Sequence, residues 1–118
     1  PFVYPQPGSP LTVTASGARI DVSVQGIHFW SATFQGMVGL SQLRPGYYGS
    51  LQRYPFHNPA RGGLSVSGDG RGCNTLTGWF VVDAISMPGG VLESIDLRFE
   101  QHCEGGVPAL RGKLHWVR

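Results

Sequence analysis

The chain carries little charge of either sign. Nine basic and seven acidic residues in 118 give a formal net charge of +2, and Lys113 is the only lysine. Nucleic-acid binding needs a dense basic face, which these few scattered charges do not supply. Few lysines and glutamates also disfavour helices, whose surfaces usually carry many of both. No nucleic-acid partner is therefore expected.

Long apolar runs are also missing. No run approaches the roughly 18 residues that a membrane-spanning helix requires, and the N-terminus does not have the pattern of a signal peptide. No membrane span is expected. If the protein is exported, we expect the sequence to begin after the cleavage site or at a later boundary within a longer chain.

Turn-forming and strand-forming residues dominate instead. Eighteen glycines and nine prolines, with many Ser, Thr and Val residues, favour short strands joined by tight turns. The first ten residues, PFVYPQPGSP, hold four prolines and cannot form a central strand. We interpret residues 1–10 as an extended arm or linker, and residues 11–118 as one β-sandwich domain.

Period-two alternation of apolar and polar residues predicts the strands. Ile20, Val22 and Val24 alternate with polar residues, as in a strand with one buried face. Gly78 is interpreted as a bulge because the apolar parity changes around it. The expected fold is all-β, a β-sandwich or jelly roll of about eight antiparallel strands. The predicted strands are residues 11–16, 18–24, 27–35, 46–52, 64–68, 73–85, 91–103 and 109–117.

The two cysteines favour a disulfide. Cys73 opens one predicted strand and Cys103 closes the next, so a hairpin would bring them together at its open end. Two free thiols are the alternative. A bridge would imply an oxidising compartment, and hence a secreted or cell-surface protein.

The stretch FEQHCEGG, residues 99–106, invites other interpretations. Cys103 and His102 are neighbours and point to opposite strand faces, which argues against a nucleophile with its base. His102 shares a face with Glu100 and Glu104, but residues two apart lie roughly 6.5 to 7 Å apart, too far for joint ligation without a kink. A lone Asp69 is weak evidence for calcium. We expect no metal and no cofactor.

Catalysis is not expected either. Asp96 and Glu100 share a face but lie about 13 Å apart at the backbone, beyond the spacing that glycoside hydrolysis uses. Asp83 on a neighbouring strand could approach them, which keeps a hydrolase as an alternative. No nucleophile elbow, phosphate loop or zinc-protease helix is present in the sequence.

The aromatic residues are the main candidates for a binding site. Trp30, Phe34, Phe99 and Trp116 fall at inward parities and are predicted to be core. The segment YYGSLQRYPFHNPARGG, residues 47–63, places rings beside amide and guanidinium donors, a combination that suits a sugar. The alternative is a loop that packs its own aromatics as a lid. The candidate ligand-binding residues are Tyr47, Tyr48, Arg53, Tyr54, His57, Asn58, Arg61 and Trp79.

Three long motifs carry a resemblance to known proteins. SGDGRGCNTLTGWFVV, FEQHCEGGVPALRGKLHW and RPGYYGSLQRYPF resemble patterns shared by uncharacterised bacterial domains in secreted and cell-surface proteins of actinobacteria and myxobacteria. The match covers about residues 44–117. It implies an exported β-sandwich in which Cys73 pairs with Cys103, and it implies no activity or ligand.

These observations lead to one functional hypothesis and one alternative. The hypothesis is a non-catalytic extracellular binding module for a carbohydrate or cell-surface polymer. The alternative is a structural or adhesive subunit that self-associates through its N-terminal arm or an edge strand.

Overall fold

Eight β-strands account for most of the residues that the structure describes. The computed structural model describes residues 11–24, 30–54, 58–68, 75–103 and 110–118. Pro88–Gly90 forms a short 3-10 turn between the sixth and seventh strands. The strands are β1 Leu11–Ser16, β2 Arg19–Val24, β3 Trp30–Gln35, β4 Gly46–Arg53, β5 Gly63–Gly68, β6 Leu76–Ser86, β7 Ser94–Cys103 and β8 Leu110–Val117.

All eight strands belong to one hydrogen-bonded sheet, in the order β1-β2-β3-β5-β4-β6-β7-β8. The all-β prediction is therefore confirmed, but the expected all-antiparallel pairing is wrong at one place. β4 and β5 run parallel, and they pair over only two residue positions. The sheet is thus mixed, and it curls into a nearly closed, barrel-like shape.

Curling brings the inward faces of distant strands together around one core. Phe34 on β3 packs at 5.4 Å from both Phe80 on β6 and Phe99 on β7, measured between ring centroids. Tyr48 on β4 stacks on Phe80 at 4.6 Å. Four strands, β3, β4, β6 and β7, therefore meet through aromatic contacts in the core.

A buried glutamine completes the sheet where β4 ends. Gln101 on β7 is only 2% exposed. Its Nε2 donates to the Val66 carbonyl at 2.9 Å, and its Oε1 accepts from the Val66 amide at 2.9 Å. Val66 lies on β5 beyond the short β4 pairing, so the glutamine side chain takes the place of a neighbouring strand.

Gly78 does not form the bulge that the sequence predicted. Gly78 pairs with Gln101 in unbroken register with β7, and β6 shifts register at Asp83 instead. That extra residue changes the apolar parity of β6, because Val82 and Ile85 then both lie toward the core.

Some predictions fall outside the described residues: the 1–10 arm, Asp69, Cys73, Glu104 and His57. Within the part of the chain that the structure describes, no helix has the length and apolar character needed to cross a membrane.

Candidate ligand-binding face

Two adjacent tyrosines in β4 take opposite roles. Neighbouring residues on a strand point to opposite faces. Tyr48 faces inward and is 4% exposed, and its hydroxyl donates to the Arg44 carbonyl at 2.8 Å. Tyr47 faces outward and is 65% exposed. Tyr48 therefore belongs to the core, which corrects its assignment as a surface contact, and Tyr47 is the tyrosine available to a ligand.

Tyr47 and Trp79 form an aromatic platform on the outer surface. Their ring centroids lie 6.0 Å apart, with the ring planes inclined by 30°. Tyr47 is on β4 and Trp79 on β6, so two paired strands fix their separation. We call this pair the Tyr47–Trp79 platform.

A β-bulge in β4 shapes the surface beside the platform. The register between β4 and β6 shifts between Tyr48 and Leu51, which places two β4 residues, Gly49 and Ser50, opposite Trp79. Ser50 has a φ of 54°, in the left-handed region that a residue other than glycine rarely adopts. Bulges and strained backbone of this kind are common next to binding sites.

The platform continues into a groove. The groove has a volume of 350 Å³, near the lower end of the range typical of small-molecule sites. Its lining residues are Met37, Tyr47, Tyr48, Gly49, Ser50, Ala60 and Arg61. The structure therefore brings Arg61 and Tyr47 to one concave surface.

Other predicted site residues lie apart from the platform. The Tyr54 hydroxyl accepts a hydrogen bond at 2.9 Å from Nη1 of Arg19, which is the first residue of β2. Arg53 ends β4 beside Leu64 and shares the parity of inward-facing residues.

Asn58 shapes the loop that carries Arg61. Its Oδ1 accepts from the Ala60 amide at 3.0 Å, and its carbonyl accepts from the Arg61 amide at 3.0 Å. Its side chain is thus engaged in the turn, a role that asparagine often has.

A charged cluster borders the platform on β7 and β8. Trp79, Glu100 and Arg111 are consecutive partners across β6, β7 and β8. Glu100 Oε1 accepts from Arg111 Nε at 2.6 Å, and Glu100 Oε2 lies 2.9 Å from His102 Nε2. The hydrogen bonds with His102 and then Arg111 hold the pKa of the Glu100 carboxyl below its usual range. Glu100 is therefore ionised at neutral pH.

A second row of outward side chains runs parallel to the row formed by Trp79, Glu100 and Arg111. Tyr47, Val81, Arg98 and Lys113 are consecutive partners across β4, β6, β7 and β8. Directly opposed residues share one face of a sheet, so these four side chains lie on the same side as Trp79. We call the surface formed by both rows and His102 the platform face.

The acidic residues near these rows are already engaged. Asp83 accepts from Arg98 Nε, and Asp96 is hydrogen-bonded to His115. Two of the three carboxylates considered for catalysis, Asp83 and Asp96, are thus held by different basic side chains. Within the described stretches, no three His, Cys, Asp or Glu side chains come together as a metal site would require.

Sequence reasoning missed most of the platform face. It selected Trp79 but not its cross-strand neighbours Glu100 and Arg111, nor Arg98 and Lys113. The alternation of Arg98, Glu100 and His102 on β7 was visible, but only the β6–β7 register shows which of them adjoins Trp79.

Comparison with known proteins adds no relative. No protein-family model, no curated protein and no solved structure matches the chain.

Proposed function

We propose that the protein is a non-catalytic carbohydrate-binding module that uses the Tyr47–Trp79 platform. The observation that carries the proposal is the exposed Tyr47 ring held beside Trp79 by the β4–β6 pairing. A pyranose ring has an apolar face that packs on aromatic rings, while its hydroxyls need polar partners nearby. Arg61 in the groove and the Glu100 cluster offer such partners.

The platform is tested by a glycan and polysaccharide binding screen on the intact chain and two variants. Tyr47→Ala and Trp79→Ala should each weaken binding by about tenfold or more, because loss of an aromatic anchor commonly costs about 1.4 kcal/mol or more. Val91→Ala is the control, since it removes an exposed apolar side chain from the turn before β7. It should leave the affinity unchanged.

A third platform variant separates ring geometry from ring chemistry. A Cβ on Gly49 would lie 2.2 Å from Tyr47 Cε2, so Gly49→Ala must displace the Tyr47 ring while retaining both aromatics. Binding that survives in all three platform variants would contradict the proposal. Absence of binding across the panel would also contradict it and would favour assembly through an edge strand, either β1 or β8.

We also propose a disulfide between Cys73 and Cys103, and with it a secreted or cell-surface location. Cys103 ends β7 opposite Leu76, which begins β6 three residues after Cys73. A bridge requires only that Cys73, three residues before β6 in the sequence, lies beside the last residue of β7. The resemblance to exported bacterial domains supports the same pairing.

Reduction measures the contribution of this bridge. A reductant should lower the free energy of unfolding by about 3 to 4 kcal/mol, the size expected for closing a loop of this length. A variant with Cys73→Ser and Cys103→Ser should show no response to reductant. Two thiols that titrate in the native, oxidised protein would contradict the bridge.

A further inference from the structure

The platform face is rich in unused hydrogen-bond donors. Arg98 and Arg111 each bind their carboxylate partner through Nε, at 3.1 Å from Asp83 and 2.6 Å from Glu100. No residue that the structure describes binds the terminal Nη groups of either arginine. These are the groups with which arginine grips a carboxylate or sulfate in bidentate fashion.

Lys113 extends this donor surface. It lies opposite Arg98 in the β7–β8 ladder and is exposed. Among the described residues it has no ion-pair partner. Asp83 offsets the charge of Arg98, so Lys113 adds an uncompensated positive charge beside that pair, which favours an anionic ligand.

The carboxylates on and beside these rows are each bonded to a basic side chain. Glu100 is the one carboxylate directly in line with Trp79, and it already accepts from Arg111 and bonds His102. In the adjoining row, Asp96 is bonded to His115. A ligand that approaches the platform therefore meets mainly donors.

The geometry suits an extended polymer. Successive strands lie about 4.8 Å apart, so Tyr47 and Lys113, three strands apart, are separated by about 14 Å at the backbone. A glycan chain stacked on the platform and running across the strands would place its next units over Arg98 and Lys113.

We infer that the ligand of the platform face is an acidic polysaccharide whose carboxylate or sulfate groups bind Arg98, Arg111 and Lys113. This inference rests on the proposed function, because the aromatic platform holds the sugar ring from which the anionic group projects.

Matched polymers test the inference. Polygalacturonate is compared with its fully methyl-esterified form, and dextran sulfate with dextran, by isothermal titration calorimetry of the intact chain. At least one anionic polymer should bind more tightly than its uncharged counterpart. The polygalacturonate and dextran sulfate arms also show whether carboxylate or sulfate is the preferred group.

A pair of charge variants gives the control. Lys113→Gln should weaken binding of the anionic polymer about threefold to fivefold, as expected for one exposed ion pair. Arg118→Gln also removes one positive charge, but it lies five residues beyond Lys113, about 17 Å along the strand, and should change the affinity less than twofold. Equal losses in the two variants would overturn the inference, because they would indicate attraction to net charge alone.

Two further outcomes separate the inference from the proposed function. Equal affinity for charged and uncharged polymers, with both lost in Tyr47→Ala, would overturn the acidic specificity and retain the carbohydrate module. Equal binding of poly-glutamate, unaffected by Tyr47→Ala, would overturn both, because neither a sugar nor the platform would then be needed.

Discussion

Replacing Gln101 with leucine should lower the free energy of unfolding by about 2 to 4 kcal/mol. The Val66 amide and carbonyl would both lose their side-chain partners, and each buried unsatisfied group costs about 1 to 3 kcal/mol. The apolar leucine offsets only part of that loss. Chemical denaturation of the variant and the parent measures the difference.

Gln52→Leu is the matched control for this prediction. Gln52 is exposed on β4, so the same chemical change there should alter stability by less than about 0.5 kcal/mol. Hydrogen exchange gives a local readout, since the Val66 amide should lose more protection in Gln101→Leu than the amide of Leu97, deep in β7. Equal stability of the Gln101→Leu variant and the parent would show that the part of β5 beyond its pairing with β4 does not depend on the glutamine.

The importance of Gln101 could not be predicted from the sequence. It has the inward parity of Ile95, Leu97 and Phe99, and a glutamine at such a position is usually a sign that the pattern has ended. Its partner is a backbone amide and carbonyl 35 residues away. The need for that partner arises from the short parallel pairing of β4 and β5, a feature of the topology that local periodicity does not contain.

The strands themselves were predictable because one face of each is at least partly buried. Alternation and β-rich runs between glycines and prolines predicted all eight, and alternation put Phe34 in the core and Arg98 outside. The site was less predictable because its residues come from four strands. Tyr47 and Trp79 were both selected as aromatic residues near glycines, but the sequence could not distinguish Tyr47 from Tyr48. The β4 bulge moves the parity within that same segment, and only the pairing with β6 shows which tyrosine faces out.

Gly78→Ala should lower the free energy of unfolding by about 3 kcal/mol or more. This loss is larger than the addition of one methyl group usually causes. A Cβ at Gly78 would lie 2.4 Å from the Glu100 carbonyl oxygen and 2.6 Å from Leu64 Cδ2. The carbonyl is backbone in the β6–β7 ladder and cannot move without breaking strand pairing, and overpacking of a rigid core alone costs about 1 to 3 kcal/mol. Gly78 is thus required by close approach of its neighbours, and this explains a glycine in mid-strand at a position where β6 has no bulge.

Gly112→Ala provides the comparison, because its new Cβ would meet only a side chain. The nearest atoms are Phe99 Cε1 and Cζ, both at 2.7 Å, and an aromatic ring can tilt away where a carbonyl cannot. The loss of stability of Gly112→Ala in thermal and chemical denaturation should therefore be smaller than that of Gly78→Ala.

The same substitution at Gly78 should affect binding. Since Gly78 adjoins Trp79 and Glu100 provides the obstructing carbonyl, opening the ladder there would also misplace the platform against its charged border. Gly78→Ala should consequently weaken glycan binding in the folded fraction, whereas Gly112→Ala should leave it intact. The reverse order of stabilities would show that the backbone at Glu100 yields more readily than the Phe99 ring.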